Sequence, residues 1–317
     1  MAVYLSTQPV FGVTPAEFQA WAGAVYAGVE AVGLENTGDT GQTSPEDVTS
    51  ISLVNQQEHW FSSKMYRFDD ALQATAPIFV QIRLGIFRTN NQNFPLREVS
   101  VGSATDGANG FTGGHVTLKS ATAMYSSPGW SGMSPLAPSF YCFNEEAGFL
   151  GAVAGVGAGG SGGVLESVAT FFVARTTDDA GQASGDGVTL IVGNYDKGTG
   201  NGIGAITIPY TGRHLSFASG PGPLCPDVFP RVGGGTPVIS GTDVIEPQRC
   251  YIQTGQGIKP IYALMSLWKD YPTTGGEFAC ANGSTEERNY VALGWQHGNR
   301  VHSGYSADVF QLAMLFE

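Results

Sequence analysis

The glycine run around residue 155 has the spacing of a dinucleotide-binding turn. Gly155, Gly157 and Gly160 follow the GxGxxG order, and Asp178 lies where an acidic ribose ligand would be expected. That turn needs a helix directly after the glycines, because the helix N-terminus binds the pyrophosphate. Residues 166–175 are instead rich in β-branched and aromatic side chains, which is typical of a strand. We therefore predict no cofactor, and the overlapping GGSGG motif predicts no catalytic serine, since it needs the same helix.

Other side chains that could react are poorly spaced for catalysis. The five histidines lack the spacing of zinc ligands, so no metal site is predicted. Adjacent carboxylates such as Asp69 and Asp70 project to opposite sides of a strand, whereas a glycosidase needs two that face each other across a cleft. Asp69 fits better as the N-cap of a short helix that ends before Pro77. We predict no catalytic residue and expect that the chain is not an enzyme.

Aromatic side chains near predicted turns offer a different chemistry, that of sugar binding. A flat ring can stack on the C–H face of a sugar, so an exposed aromatic side chain on a β scaffold favours a glycan contact. The candidate glycan contacts are Trp60, Tyr125, Trp130, Trp295 and Tyr305. The alternative, which large aromatic side chains adopt more often, is a place in the core or in a contact between subunits.

The composition narrows the class of partner. The chain has 317 residues, 45 of them glycine, and 42% are hydrophobic while only 13% are charged. Its formal net charge of -12 repels phosphate backbones, so we expect no nucleic-acid partner. It has no run of 18 apolar residues and no signal sequence in residues 1–20, so we expect no membrane span and no export. The four cysteines are then expected to be reduced.

One helix is predicted near the start of the chain, over about residues 15–32. Thr14 suits the N-cap, Pro15 the first helical position, and Glu17 completes a capping box. Apolar residues then recur at spacings of three and four, which places them on one face of the helix. The candidate partner contacts on this face are Phe18, Trp21 and Val25. The alternative is that the face packs on the molecule's own core, as most one-sided helices do.

Beyond residues 35–50, a polar stretch predicted to be a loop, the apolar period becomes two. Strands are predicted over 78–84, 99–101, 168–174, 188–192, 206–208, 291–295 and 309–316. Turns are predicted at Asp106-Gly107, Asn109-Gly110, Asp186-Gly187, Asn201-Gly202 and Asn282-Gly283. We predict a mainly β fold, an antiparallel β-sandwich or barrel-like architecture with one N-terminal helix. A division into 1–135 and 136–317 is one interpretation, and a single domain is the other.

One segment resembles a known class of protein. Residues 60–85 read WFSSKMYRFDDALQATAPIFVQIRLG, and Val101-Gly102 and Thr105-Asp106-Gly107 follow. This stretch, about 60–107, resembles a segment in structural proteins of tailed-bacteriophage virions. The resemblance implies a virion component that is made in the host cytoplasm and present in many copies.

On this basis we expect a protein that self-assembles into a ring or trimer and contacts other virion proteins, in the tail, baseplate or neck. The alternatives are a spike or fibre that binds a receptor or a host-surface glycan, and a tailspike-type glycan hydrolase.

Overall fold

A computed structural model describes the backbone of the N-terminal third almost completely and that of the strands in the rest. The described residues are 2–7, 14–89, 92–113, 115–121, 133–134, 138–144, 148–158, 164–177, 183–193, 203–208, 215–216, 238–240, 243–245, 247–254, 257–268, 277–280, 288–297 and 309–315. Side chains are described for 14–88, 93, 96–113, 115, 173–175, 277–279 and 288–291.

Strands dominate the described residues. The helix α1 spans Pro15–Ala31, and a 3-10 turn spans Pro45–Asp47. The strands are β1 Ala2–Thr7, β2 Glu35–Asn36, β3 Gln57–Arg67, β4 Phe79–Thr89, β5 Gln92–Gly102, β6 His115–Ala121, β7 Met133–Ser134, β8 Pro138–Asn144, β9 Gly148–Ala158, β10 Val164–Thr177, β11 Ala183–Gly193, β12 Ile203–Ile208, β13 Leu215–Ser216, β14 Val238–Ser240, β15 Asp243–Ile245, β16 Pro247–Thr254, β17 Gly257–Trp268, β18 Glu277–Cys280, β19 Arg288–His297 and β20 Val309–Leu315.

These strands form four sheets in which neighbours run antiparallel. The N-terminal sheet has the order β2-β3-β4-β5-β6, and an eight-stranded sheet has the order β1-β8-β9-β10-β11-β12-β13 with β7 paired to β9. A second five-stranded sheet follows the order β16-β17-β20-β19-β18, and β14 pairs with β15. In the described strands no sheet closes into a barrel. The predicted mainly β, antiparallel fold with one N-terminal helix is confirmed.

The helix forms where its capping residues predicted it. The amide of Glu17 donates to Thr14 Oγ1 at 3.3 Å, and the amide of Thr14 donates to Glu17 Oε2 at 3.1 Å. This reciprocal pair satisfies two N–H groups that the first turn would otherwise leave free. Gly33, with φ of 109°, adopts a left-handed conformation just after the helix, which a residue with a Cβ would adopt only under strain.

One face of the N-terminal sheet, which we call the helix face, packs against α1. On β4, Val80, Ile82, Leu84 and Ile86 are all fully buried, in the alternation that the period of two predicted. They belong to one apolar cluster with the inner side of the helix. Val173 of β10 lies in the same cluster, so the eight-stranded sheet shares this core.

Most strand predictions are confirmed, and one turn prediction is wrong. The predicted strands lie within β4, β5, β10, β11, β12, β19 and β20, apart from Ile78 just before β4 and Phe316 just after β20, which is outside the described residues. Asp186-Gly187, predicted to be a turn, lies inside β11, whose next residues pair with β10 and β12. Pairing on both sides outweighs the turn preference of the two residues. Asn201-Gly202 and Asn282-Gly283 lie outside the described residues.

The two predicted parts of the chain share a sheet. β1, from the first part, pairs with β8, so that Ala2 lies opposite Phe143 and Thr7 opposite Pro138. The eight-stranded sheet therefore contains strands from both predicted parts, and the boundary near residue 135 stays a prediction.

Candidate functional site

A β-bulge in β3 sends one aromatic side chain to the side of the sheet opposite the helix. The register between β3 and β4 shifts between Trp60 and Ser62. Phe61 and Ser62 both face the helix, because the Phe61 ring lies 5.3 Å from that of Phe18 and Ser62 Oγ lies 3.1 Å from Tyr26 Oη. Trp60 is thereby placed on the opposite side, which we call the far face. Bulges commonly re-aim a side chain in this way.

The bulge also requires a glycine on the neighbouring strand. Gly85 is the register partner of Trp60, and a Cβ at this position would collide with the backbone carbonyl of His59. Only glycine permits so close an approach of two backbones. The position of Trp60 is therefore set by the backbone of both strands.

On the far face, Trp60 belongs to a cluster with Arg83 and Glu98, which we call the far-face cluster. The Arg83 guanidinium carbon lies 4.6 Å from the centre of the indole ring, and Nη1 of Arg83 donates to Glu98 Oε1 at 2.6 Å. Arg83 and Glu98 are directly opposite each other on β4 and β5. The Arg83 side chain is 35% exposed and that of Glu98 is 12% exposed. The cluster thus joins a half-buried indole ring, a partly exposed cation and a mostly buried carboxylate.

The far-face cluster contributes little to holding the fold together. A partly exposed ion pair contributes about 0–1 kcal/mol, and an exposed cation–π contact contributes about 0.5–1 kcal/mol. The arrangement does restrict the conformations of its side chains, because the ring and the ion pair hold each other in place.

At one end of the far face, two loops close over the sheet. Thr40 donates its amide to the carbonyl of Gly107 at 3.0 Å, and Thr105 donates its hydroxyl to a carboxylate oxygen of Asp39. Asn109 Nδ2 donates to Ser63 Oγ on β3 at 2.9 Å. The predicted loop 35–50 is thus largely irregular and held in place, and the Asp106-Gly107 and Asn109-Gly110 turns both lie in the second loop.

Asp106 organises this second loop. Its Oδ1 accepts the amides of Ala108 at 2.7 Å and of Gly110 at 2.9 Å. These two hydrogen bonds favour the ionised form and lower the pKa of the Asp106 carboxyl.

A second Arg–carboxylate pair, which we call the buried joint, connects β10 to the loop before β4. Arg175 donates from Nη1 and Nη2 to the two carboxylate oxygens of Asp70, at 2.5 and 2.8 Å. Its Nε donates to the carbonyl of Ala76 at 2.7 Å, and its guanidinium lies over the ring of Phe68 at 5.5 Å. Both charged side chains are only 3% exposed. This joint ties two segments that are 105 residues apart in sequence.

No protein-family model, curated protein or solved structure matches this chain.

The structure describes only part of the predicted glycan set. Trp60 lies on the far face and is half-buried. Trp295 lies in β19, and at this position only the backbone is described. Tyr125, Trp130 and Tyr305 lie outside the described residues. Of the five rings, the structure therefore places that of Trp60.

The predicted partner-contact residues lie in the chain's own core. Phe18 and Val25 are 0% exposed and Trp21 is 5% exposed, and all three belong to the cluster beneath the helix. Their burial agrees with the alternative that the apolar face packs on its own sheet. A partner could reach these side chains only if the helix were displaced.

Two motifs that the sequence analysis weighed are also placed. Gly155 and Gly157 lie in β9, where they pair with Ser167 and Leu165 of the next, antiparallel strand. The strand expected after this glycine run is therefore present. The short helix predicted after Asp69 is wrong: residues 71–75 form turns, and Asp70 accepts the amide of Leu72 at 3.0 Å.

The described residues contain neither a candidate metal site nor a helix that could span a membrane. Among them, no three or more His, Cys, Asp or Glu side chains group closely enough to hold a metal ion. Within the same part of the chain, no helix combines the length and apolar content needed to cross a membrane.

Sequence reasoning missed the partners that give these sites their geometry. Arg83 is the one charged residue in the alternation over 78–84, which was a usable signal. Its pairing with Glu98 depends on the register of a hairpin, and the pairing of Arg175 with Asp70 depends on how two sheets pack.

Proposed function

We propose that this chain is a structural protein of a tailed-bacteriophage virion, made in the host cytoplasm, that self-assembles into a ring or trimer. Its role would be mechanical, exercised through contacts with copies of itself and with other virion proteins. The proposed position is the tail, baseplate or neck. The resemblance of residues 60–107 to virion structural proteins is the starting point.

The observation that carries this proposal is that the segment of resemblance folds as one braced unit. It comprises most of β3, all of β4 and β5, and the start of the loop at 105–107. The helix packs on one side of it. The loop at 37–43 forms backbone hydrogen bonds with β3 and with Gly107. Arg175 fastens its 70–76 turn to β10. Contacts with the helix, the loop at 37–43 and β10 hold this segment in one conformation. A rigid segment suits a protein that transmits force between neighbouring subunits.

The arrangement of the strands supports assembly. β2 and β6 are edge strands of the N-terminal sheet in the described part of the chain. An edge strand presents N–H and C=O groups that a strand from another chain can pair with.

The test is the mass of the purified full-length chain in solution. Size-exclusion chromatography with light scattering should give a discrete oligomer, a whole multiple of 33.2 kDa that stays constant on dilution. Quantitative mass spectrometry of purified particles should find the chain in many copies. A 33.2 kDa monomer at every concentration, together with its absence from particles, would contradict the proposal.

A further inference from the structure

The far-face cluster has the chemistry of a sugar-binding site. A pyranose ring presents one flat C–H face and a rim of hydroxyl groups, each of which can donate and accept hydrogen bonds. Proteins that bind such rings need an aromatic surface for the flat face and charged or amide groups for the rim. Trp60, Arg83 and Glu98 supply both kinds of group within one cluster.

We propose that Trp60, Arg83 and Glu98 bind a neutral saccharide on the far face of the N-terminal sheet. This inference is independent of the assembly proposed above, since it concerns a different surface and a different ligand. Trp60 was predicted to be a glycan contact, and the proposal adds Arg83 and Glu98 as the polar groups that bind the same sugar.

The hydrogen-bonding capacity of the cluster is only partly used. Arg83 donates one hydrogen bond, from Nη1, and within the described residues its other guanidinium N–H groups have no partner. In that same part of the chain, Glu98 accepts only through Oε1. One carboxylate oxygen and several N–H groups are thus left to accept from and donate to sugar hydroxyls.

The geometry is fixed before a ligand arrives. The bulge and Gly85 set the backbone beneath Trp60, and the guanidinium lies against the ring at 4.6 Å. Glu98 in turn holds the guanidinium at 2.6 Å. Side chains that are already ordered lose less conformational entropy on binding, which raises affinity.

Charge selects the class of saccharide. The chain carries a formal net charge of -12, and the cluster contains a carboxylate bonded to the guanidinium that lies over the ring. Both disfavour sugars that carry carboxylate or sulfate groups. A neutral hexose or N-acetylhexosamine unit fits better, since its hydroxyl groups match both charged side chains without repulsion.

The test uses the full-length protein on an array of immobilised neutral oligosaccharides built from glucose, galactose, mannose and N-acetylglucosamine, with hyaluronan as the acidic arm. The wild type should be retained by at least one neutral oligosaccharide and should not be retained by hyaluronan. Trp60→Leu keeps apolar volume but removes the flat ring, and Glu98→Gln removes the charge. Each should weaken retention by about tenfold or more.

Three controls separate loss of binding from loss of the fold. Trp60→Phe keeps a flat ring and should keep most of the retention. Val54→Ala and Leu72→Ala alter side chains that are 51% and 37% exposed elsewhere, and both should bind like the wild type. Unchanged circular dichroism and melting temperature would show that each variant is folded.

Several results would overturn the proposal. These are no retention of the wild type by any neutral oligosaccharide, retention by hyaluronan alone, and equal retention of Trp60→Leu and wild type. A change in oligomer mass in Trp60→Leu with unchanged sugar retention would also overturn it, and would assign the cluster to a contact between copies. The first three of these results do not bear on whether the wild-type chain assembles.

Discussion

Two Arg–carboxylate pairs of nearly equal length lie in very different surroundings. Arg83 and Glu98 meet at 2.6 Å on the far face, and Arg175 and Asp70 meet at 2.5 Å in the buried joint. The first pair is 35% and 12% exposed, and the second is 3% exposed on both sides. Water still competes for the first pair but has been removed from the second. An Arg–carboxylate pair therefore stabilises the fold in the buried joint, whereas the pair on the far face is partly open to solvent and to the proposed ligand.

The buried joint is where a single change should cost most. Arg175→Met removes the cation and leaves the Asp70 carboxylate buried without its partner. Breaking a buried pair from one side destabilises by about 3–5 kcal/mol. Urea denaturation followed by circular dichroism should show this loss as a lower midpoint.

The matched control for that prediction removes both charges. Arg175→Met combined with Asp70→Asn should recover part of the lost stability, because no unpaired charge remains. The side-chain oxygen of the asparagine can still accept the hydrogen bond from the Leu72 amide. If the double variant were as unstable as Arg175→Met alone, the cost would come from lost packing and not from the charge.

A buried hydrogen bond between neutral groups tests whether burial or charge determines the loss of stability on mutation. The hydroxyl of Tyr26, in the core under the helix, donates to the carbonyl of Ile82 at 3.2 Å and contacts Ser62 Oγ. Tyr26→Phe leaves both groups buried with one partner fewer, so we expect a loss of about 1–3 kcal/mol in urea denaturation. A loss below that of the far-face variants would contradict the role given to burial.

The same tyrosine gives a dependence on pH. Burial raises the pKa of the Tyr26 hydroxyl above its ordinary value of 10.0. The folded state therefore keeps a proton that the unfolded state releases above about pH 10. The stability of the wild type should fall as pH rises beyond that point, and the urea midpoint of Tyr26→Phe should fall less steeply. Parallel slopes for the two proteins would contradict this assignment.

Breaking the far-face pair should change the free energy of unfolding very little. Arg83→Met breaks the contact with Glu98 and the stack on Trp60, and a partly exposed pair contributes about 0–1 kcal/mol. The urea midpoint should therefore shift little, while retention on the neutral oligosaccharide array should fall. Arg83→Lys keeps the charge but not the planar guanidinium, so it should retain sugar only weakly.

The smallest expected effect concerns the loop that closes the far face. The pKa of Asp106 lies below its ordinary value of 3.8 because its carboxylate accepts two backbone amides. The stabilisation from these bonds is present above about pH 4 and is lost as pH falls through the lowered pKa. An NMR titration of the side-chain carboxyl should give a midpoint below 3.8. A midpoint at or above that value would show that the loop is open in solution.

Local signals predicted much of the fold. The capping box of Thr14 and Glu17 predicted the helix, because all of its contacts lie within one turn. The apolar period of two predicted β4, because one side of that strand lies against the core. Asp186-Gly187 shows the limit of such signals. The dipeptide favours a turn by itself, but pairing of the residues just beyond it on both sides continues the strand.

The sites depended on information that no local pattern contains. Trp60 was a candidate glycan contact, but the bulge that places it on the far face arises from pairing with β4. Asp69 had the better sequence pattern for a cap, whereas Asp70 makes the contacts, because Arg175 approaches from β10. A pair separated by 105 residues is set by how two sheets pack. Sequence reasoning therefore found the ring and missed the charges around it.

The most direct test of the account compares the two arginines in one experiment. Arg83→Met and Arg175→Met would be unfolded in urea beside the wild type under identical conditions. The account predicts a midpoint close to wild type for Arg83→Met and a loss of about 3–5 kcal/mol for Arg175→Met. Equal losses in the two variants would contradict it, because the far-face pair would then be part of what holds the fold together.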